Sequence, residues 1–133
     1  MLTVVLAVAV ALLAGVTPAS ANASGCTAAY EKGAVCGTVG GDGLYVDWVE
    51  VSRSKPDWPF GENVCDYQGV VTVYNSGGSR IYQQRSGVHA GCVYLVGYVD
   101  LSVGSYFPNN SKITLSFYEE GAYQGAVSFK ITG

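Results

Sequence analysis

From Leu44 onward the chain alternates apolar and polar residues with a period of two. Residues 112–118, KITLSFY, set Ile113, Leu115 and Phe117 on one side and Lys112, Thr114 and Ser116 on the other, and residues 126–132, AVSFKIT, repeat this with Val127, Phe129 and Ile131. Successive side chains of a strand point to opposite faces, so the two segments predict half-buried antiparallel strands joined at Glu119-Glu120-Gly121. Residues 66–75 and 79–85 flank Asn75-Ser76-Gly77-Gly78, a predicted hairpin connection whose second arm, carrying Arg80 and Arg85, reads as a charged edge strand.

Two segments are less regular. In 92–103, CVYLVGYVDLSV, the odd positions Val93, Leu95, Val99, Leu101 and Val103 are apolar, and so are the even positions Tyr94, Val96 and Tyr98. That pattern predicts a central strand covered on both faces. In 44–53, LYVDWVEVSR, the apolar phase moves from Leu44, Val46 and Trp48 to Val49 and Val51, which predicts a β-bulge near Trp48 and Val49. A helical period of 3.6 residues is absent; the one helical alternative is a short turn over 27–33, capped by Thr27 and ended by Gly33, competing with a hairpin over the same residues. The expected fold is therefore all-β: a small antiparallel β-sandwich, or partly closed barrel, of about seven or eight strands.

Ahead of this pattern lies an apolar run from Leu2 to Val16, interrupted by Thr3 and followed by Pro18 and Ala19-Ser20-Ala21. It is shorter than the roughly 20 residues of a membrane-spanning helix and reads as a secretory signal cleaved after Ala21, or after Ala23, although no Lys or Arg precedes the run. A single all-β domain over 22–133 is expected to follow, in a secreted protein with no membrane span in its mature form.

Four cysteines in a short exported chain imply two disulfides. A hairpin turning at Glu31-Lys32-Gly33 would place Cys26 opposite Cys36, and Cys65 and Cys92 each open an apolar strand pattern, so the expected pairs are Cys26–Cys36 and Cys65–Cys92. A zinc site fails on spacing, since the chain has no C-x-x-C and its only histidine is His89. Two short-range cysteine pairs in an exported domain of this size resemble the bacterial subtilisin-inhibitor type, in which the reactive bond follows the third cysteine, here at Asp66-Tyr67-Gln68. The 41 residues after Cys92 and the strand-only pattern depart from that type, and no site is carried over from it.

The net charge is −3, with seven basic residues scattered singly along the sequence, which argues against nucleic acid and anionic membranes as partners. Nucleophilic catalysis of the Ser-His-Asp or Cys-His kind needs a histidine beside its nucleophile, and His89 sits in a Gly-rich stretch that reads as a solvated loop. Glu119 and Glu120 are adjacent and read as solvated turn residues that do not converge on one bond. Asp42 and Asp47 read likewise, short of a calcium loop. No enzyme activity, cofactor or metal is expected.

Two features favour binding. In KPDWPFGENVC, residues 55–65, Pro56 and Pro59 stiffen a segment that carries Asp57, Trp58 and Phe60. Its rings serve either as a recognition surface of low ordering entropy or as a lid over one end of the core. The second feature is a tyrosine strip: Tyr94 and Tyr98 on one face of their strand, and Tyr118 on the polar side of its own. These six residues are the candidate site of a non-catalytic domain binding an extracellular protein or glycan. The alternative is an inhibitor of a secreted protease or glycosidase that uses the stiff loop as a plug.

Overall fold

The computed structural model describes residues 21–56 and 60–133. The predicted signal segment, apart from Ala21 and the residues up to Ala23, lies outside them, as do Asp57, Trp58 and Pro59. Nine strands are formed: β1 (Ala23–Ala28), β2 (Ala34–Asp42), β3 (Tyr45–Ser54), β4 (Asn63–Tyr74), β5 (Arg80–Arg85), β6 (His89–Tyr94), β7 (Val96–Tyr106), β8 (Ser111–Glu119) and β9 (Ala122–Ile131). They build two antiparallel sheets, one in the order β1-β2-β3-β7 and the other β5-β4-β8-β9, with β6 also paired to β4. This is the expected sandwich, with nine strands rather than seven or eight. Among the described residues no helix is long and apolar enough to cross a membrane.

The period-two faces meet between the sheets. Ile113, Leu115 and Phe117 of β8, Val127 and Ile131 of β9 and, in the same sheet, Val64, Val71 and Val73 of β4 are buried against Val35, Val39, Val49, Val51, Val99 and Leu101 of the opposite sheet. Most of these residues are β-branched, a shape that packs well on a pleated surface. A Cβ on Gly37 would lie 2.4 Å from Val127 and 2.8 Å from Leu115, so only glycine lets β2 approach the other sheet this closely.

Residues 27–33 belong to a hairpin, not a helical turn: Cys26 pairs with Cys36 in register across β1 and β2, and Glu31 and Gly33 take φ of 71° and 76° in the turn. Both disulfides are the expected ones, Cys26–Cys36 and Cys65–Cys92, the second joining β4 to β6. The β8–β9 turn uses Glu120 and Gly121 at φ 52° and 80°, the pair of positive φ values that suits a tight hairpin. Arg80–Arg85 is an edge strand, as its charge indicated.

The segment 92–103 is not one central strand. Leu95, at φ 72°, turns the chain out of one sheet and into the other: β6 pairs with β4, and β7 forms the edge of the other sheet beside β3. The run is apolar at both parities because the odd positions Val99 and Leu101 of β7 are buried while the even positions carry the exposed rings of Tyr94 and Tyr98. Against β2 the bulge in β3 falls between Val46 and Trp48, with Asp47 as the extra residue, so Asp47 and Trp48 both face outward and Val49 returns to the core. The irregularity expected near Trp48 and Val49 thus lies one residue earlier, at Asp47.

Candidate functional site

The chain crosses between sheets through residues 55–62, and the neck of this crossing is closed by backbone hydrogen bonds. Lys55 N–H donates to Leu95 O (2.8 Å), Leu95 N–H to Glu62 O (3.0 Å) and Glu62 N–H to Lys55 O (3.1 Å). The Tyr94 hydroxyl accepts the Gly61 N–H at 3.1 Å. Phe60 is 77% exposed and Tyr94 62%. Phe60 therefore does not act as a lid, and it shares one end of the sandwich with Tyr94. Asp57 and Trp58 fall outside the described residues.

The same end holds a group of charges that the sequence reading missed. Glu119, expected to be solvated, is buried, and its Oε2 accepts Lys55 Nζ at 2.7 Å and Cys65 N–H at 3.0 Å. Glu62 takes Lys32 Nζ at 2.6 Å. Arg53, only 1% exposed, donates to the carbonyls of Lys32, Ser54 and Tyr30, tying β3 to the β1–β2 turn. Burial lowers the pKa of its guanidinium, while the charges of Glu119, Glu31 and Glu62 raise it. A polar cleft of about 250 Å³ opens among these side chains. Glu119 and Glu62 each have a lysine beside them, so the group ties three elements together.

A second exposed region runs along the outer face of the β1-β2-β3-β7 sheet. Trp48 (42% exposed) stands opposite Gly40 and Ser102, Tyr45 stands opposite Tyr106 (78% exposed), and Tyr98 (54% exposed) stands opposite Ser52. The Tyr45 and Tyr106 rings lie 4.9 Å apart. Gly40 is a seat for the indole: a Cβ there would come within 2.2–2.6 Å of three indole atoms. Along β7, Tyr98, the row of Trp48 and Tyr106 follow one another at four-residue steps, the second of which crosses the irregularity at Val103 and Gly104. Between Tyr98 and Trp48, Glu50 and Asp100 face each other across the two strands. The Glu50 carboxyl is held above its ordinary pKa by burial first, then by its hydrogen bond with Asp100 and by the charge of Asp100. Asp42 and Asp47 are exposed on the same sheet, and its four strands carry no cation except the inward Arg53.

The expected tyrosine strip is thus divided. Tyr94 and Tyr98 belong to different strands in different sheets, not to one face of one strand. Tyr118 lies on the outer face of the other sheet, edge-on to Tyr123 (5.8 Å) and beneath the Arg85 guanidinium (5.2 Å). Sequence reasoning passed over Trp48, Tyr45 and Tyr106, although the phase break at Trp48 was the available signal. His89 belongs to β6 and stacks on Tyr67 at 4.8 Å; it is exposed, but not in a loop. Tyr67 itself is buried within β4, so Asp66-Tyr67-Gln68 offers no protruding loop of the inhibitor kind.

Among the described residues one grouping of metal-type side chains, Cys65, Glu119 and Glu120, lies within 4.8 Å, but the Cys65 sulfur is committed to its disulfide and Glu119 is neutralised by Lys55. No protein-family model matches the chain, and no curated protein matches it.

Proposed function

We propose that this is an extracellular, non-catalytic binding domain and that the outer face of the β1-β2-β3-β7 sheet receives a glycan chain. The observation that carries the reading is the exposed series Tyr98, Trp48 and Tyr45–Tyr106 on one sheet face, with Glu50 and Asp100 set between the rings. Aromatic faces stack on the apolar faces of sugar rings, while carboxyl groups accept hydrogen bonds from hydroxyls. A surface built on strands is preorganised, so little ordering entropy is lost on binding. The two disulfides suit an oxidising compartment.

The test is co-sedimentation with insoluble polysaccharides such as cellulose, chitin and cell-wall peptidoglycan, comparing the wild type with Trp48→Ala and Tyr106→Ala. Retention on at least one polysaccharide, lost in both variants while their melting temperatures hold, supports the reading. Equal retention of the variants, or none by the wild type, removes it.

A second reading, an inhibitor of a secreted hydrolase, is favoured by the exposed Phe60 on a crossing whose neck is clamped by three backbone hydrogen bonds. Loss of activity in a panel of proteases and glycosidases, reversed by Phe60→Ala, would support it; an unaffected panel removes it.

A further inference from the structure

The outer face of the β5-β4-β8-β9 sheet has the opposite character. Arg80, Tyr74, Lys112 and Lys130 form one row across all four strands: Tyr74 is in register with Arg80 on one side and Lys112 on the other, and Lys112 is in register with Lys130. Together with Arg85, the row gathers four of the chain's seven basic residues, so the cations that are scattered along the sequence are collected by the strand register. The two adjoining rows, Gln83-Thr72-Thr114-Ser128 and Arg85-Val70-Ser116-Ala126, contain no carboxylate.

Like charges directly opposite in a sheet destabilise it. The Lys112–Lys130 pair has no acidic neighbour in its own or the adjoining rows to offset this, so its natural counter-charge comes from outside the chain. Beside the pair is a cleft of about 450 Å³, lined by Tyr74, Asn75, Asn110, Lys112 and Lys130 and by the β4–β5 turn. The Lys112 ammonium sits 5.3 Å from the Tyr74 ring centroid. Asn75 Oδ1 is committed to the N–H groups of Gly77 and Ser79, both at 3.0 Å, which leaves its amide nitrogen as the group that can donate to a ligand. The cleft thus offers two ammonium groups, amide donors and a phenol ring, with no acid, at a volume in the range of small-ligand sites.

We infer that this cleft is a second binding site, distinct from the aromatic face, and that it takes an acidic saccharide: a sugar whose carboxylate or sulfate bridges Lys112 and Lys130 while its ring lies toward Tyr74 and Asn75. Ammonium–anion hydrogen bonds supply the charge-assisted contacts, and the bound anion relieves the repulsion within the lysine pair.

Calorimetric titration of the full protein tests this with oligogalacturonate and a sulfated dextran oligosaccharide, whose responses tell carboxylate from sulfate, and neutral dextran as control. At least one acidic saccharide should bind, neutral dextran should not, and Lys112→Gln and Lys130→Gln should each weaken binding about tenfold, the loss of one charge-assisted contact. Both variants should melt no lower than the wild type, because each removes a like-charge pair. Amide shift changes in the unaltered protein should centre on residues 74–78, 110–112 and 130. Trp48→Ala should bind acidic saccharide normally, so failure here and failure of the glycan-face reading are distinguishable. The proposal is overturned if neither acidic saccharide binds, if both lysine variants bind like the wild type, or if single-stranded DNA or phosphatidylserine vesicles bind as tightly through the same lysines.

Discussion

Glu50 and Asp100 stand directly opposite each other on β3 and β7, two carboxyl side chains in register on the outer face of one sheet. Burial favours the neutral form of Glu50, and the facing Asp100 carboxyl adds to that preference, so the Glu50 pKa is raised. The pair therefore links the stability of this face to pH.

The sign follows from the direction of the shift. Glu50 has a raised folded-state pKa, so its contribution to stability is fully present below its unfolded pKa and is lost as pH rises through the folded value. Glu50→Gln should melt higher than the wild type at neutral pH and should flatten the acid-side gain. Thermal melts of both proteins across the acid-to-neutral range check this, and parallel curves would contradict it.

Gly40→Ala should disturb Trp48 without touching the core. The added methyl would occupy space now held by the indole, so the ring must lift from β2. A red-shifted or more readily quenched tryptophan emission is expected, together with loss of glycan retention comparable to that of Trp48→Ala. The reader of the fluorescence must allow for Trp58, which Trp58→Phe in both backgrounds removes.

Lys55→Met should be one of the most damaging changes at the charged end. It leaves Glu119 buried beside the Cys65 N–H with its cation gone, and breaking a buried pair in this way costs about 3–5 kcal/mol. Lys55→Met combined with Glu119→Leu should recover part of that loss. Urea denaturation of the wild type, both single variants and the double variant gives the coupling.

Removal of Cys65–Cys92 should cost more than removal of Cys26–Cys36. On the chain-entropy model the two closures contribute about 3.5 and about 3 kcal/mol. The larger loss should also be local, because β6 is an exposed strand paired only with β4, whereas β1 and β2 continue their pairing on both sides of Cys26–Cys36. Hydrogen exchange in the paired serine variants should show 89–94 opening first in one and no single strand released in the other.

What the sequence made legible was local. The inward faces of 112–118 and 126–132, the hairpin around Cys26 and Cys36, and the β4–β5 turn all follow from residues a few positions apart. Leu95 defeated the same logic: a leucine at positive φ carries none of the glycine signal that normally marks a turn, so two strands read as one. Glu119 was misjudged because its burial depends on Lys55, 64 positions away. The bulge was visible as a phase break, but its extra residue against β2 is Asp47, and that one-position difference decides whether Trp48 faces the core or the solvent. The two like-charge pairs could not be seen at all, since only strand register brings Glu50 to Asp100 and Lys112 to Lys130.

One edge of β4 is shared end to end by two short partners, β6 along residues 63–67 and β5 along 70–74. Ser86 is fixed to Gly69 at the seam, while a Cβ added at Gly87 would point into open space and Val88 is exposed. The ladder is already interrupted at that point, so a peptide tag or a fused partner spliced between Gly87 and Val88 would lengthen a gap without unzipping a sheet. Both proposed binding faces would stay open, which makes this seam the natural handle for immobilising the protein.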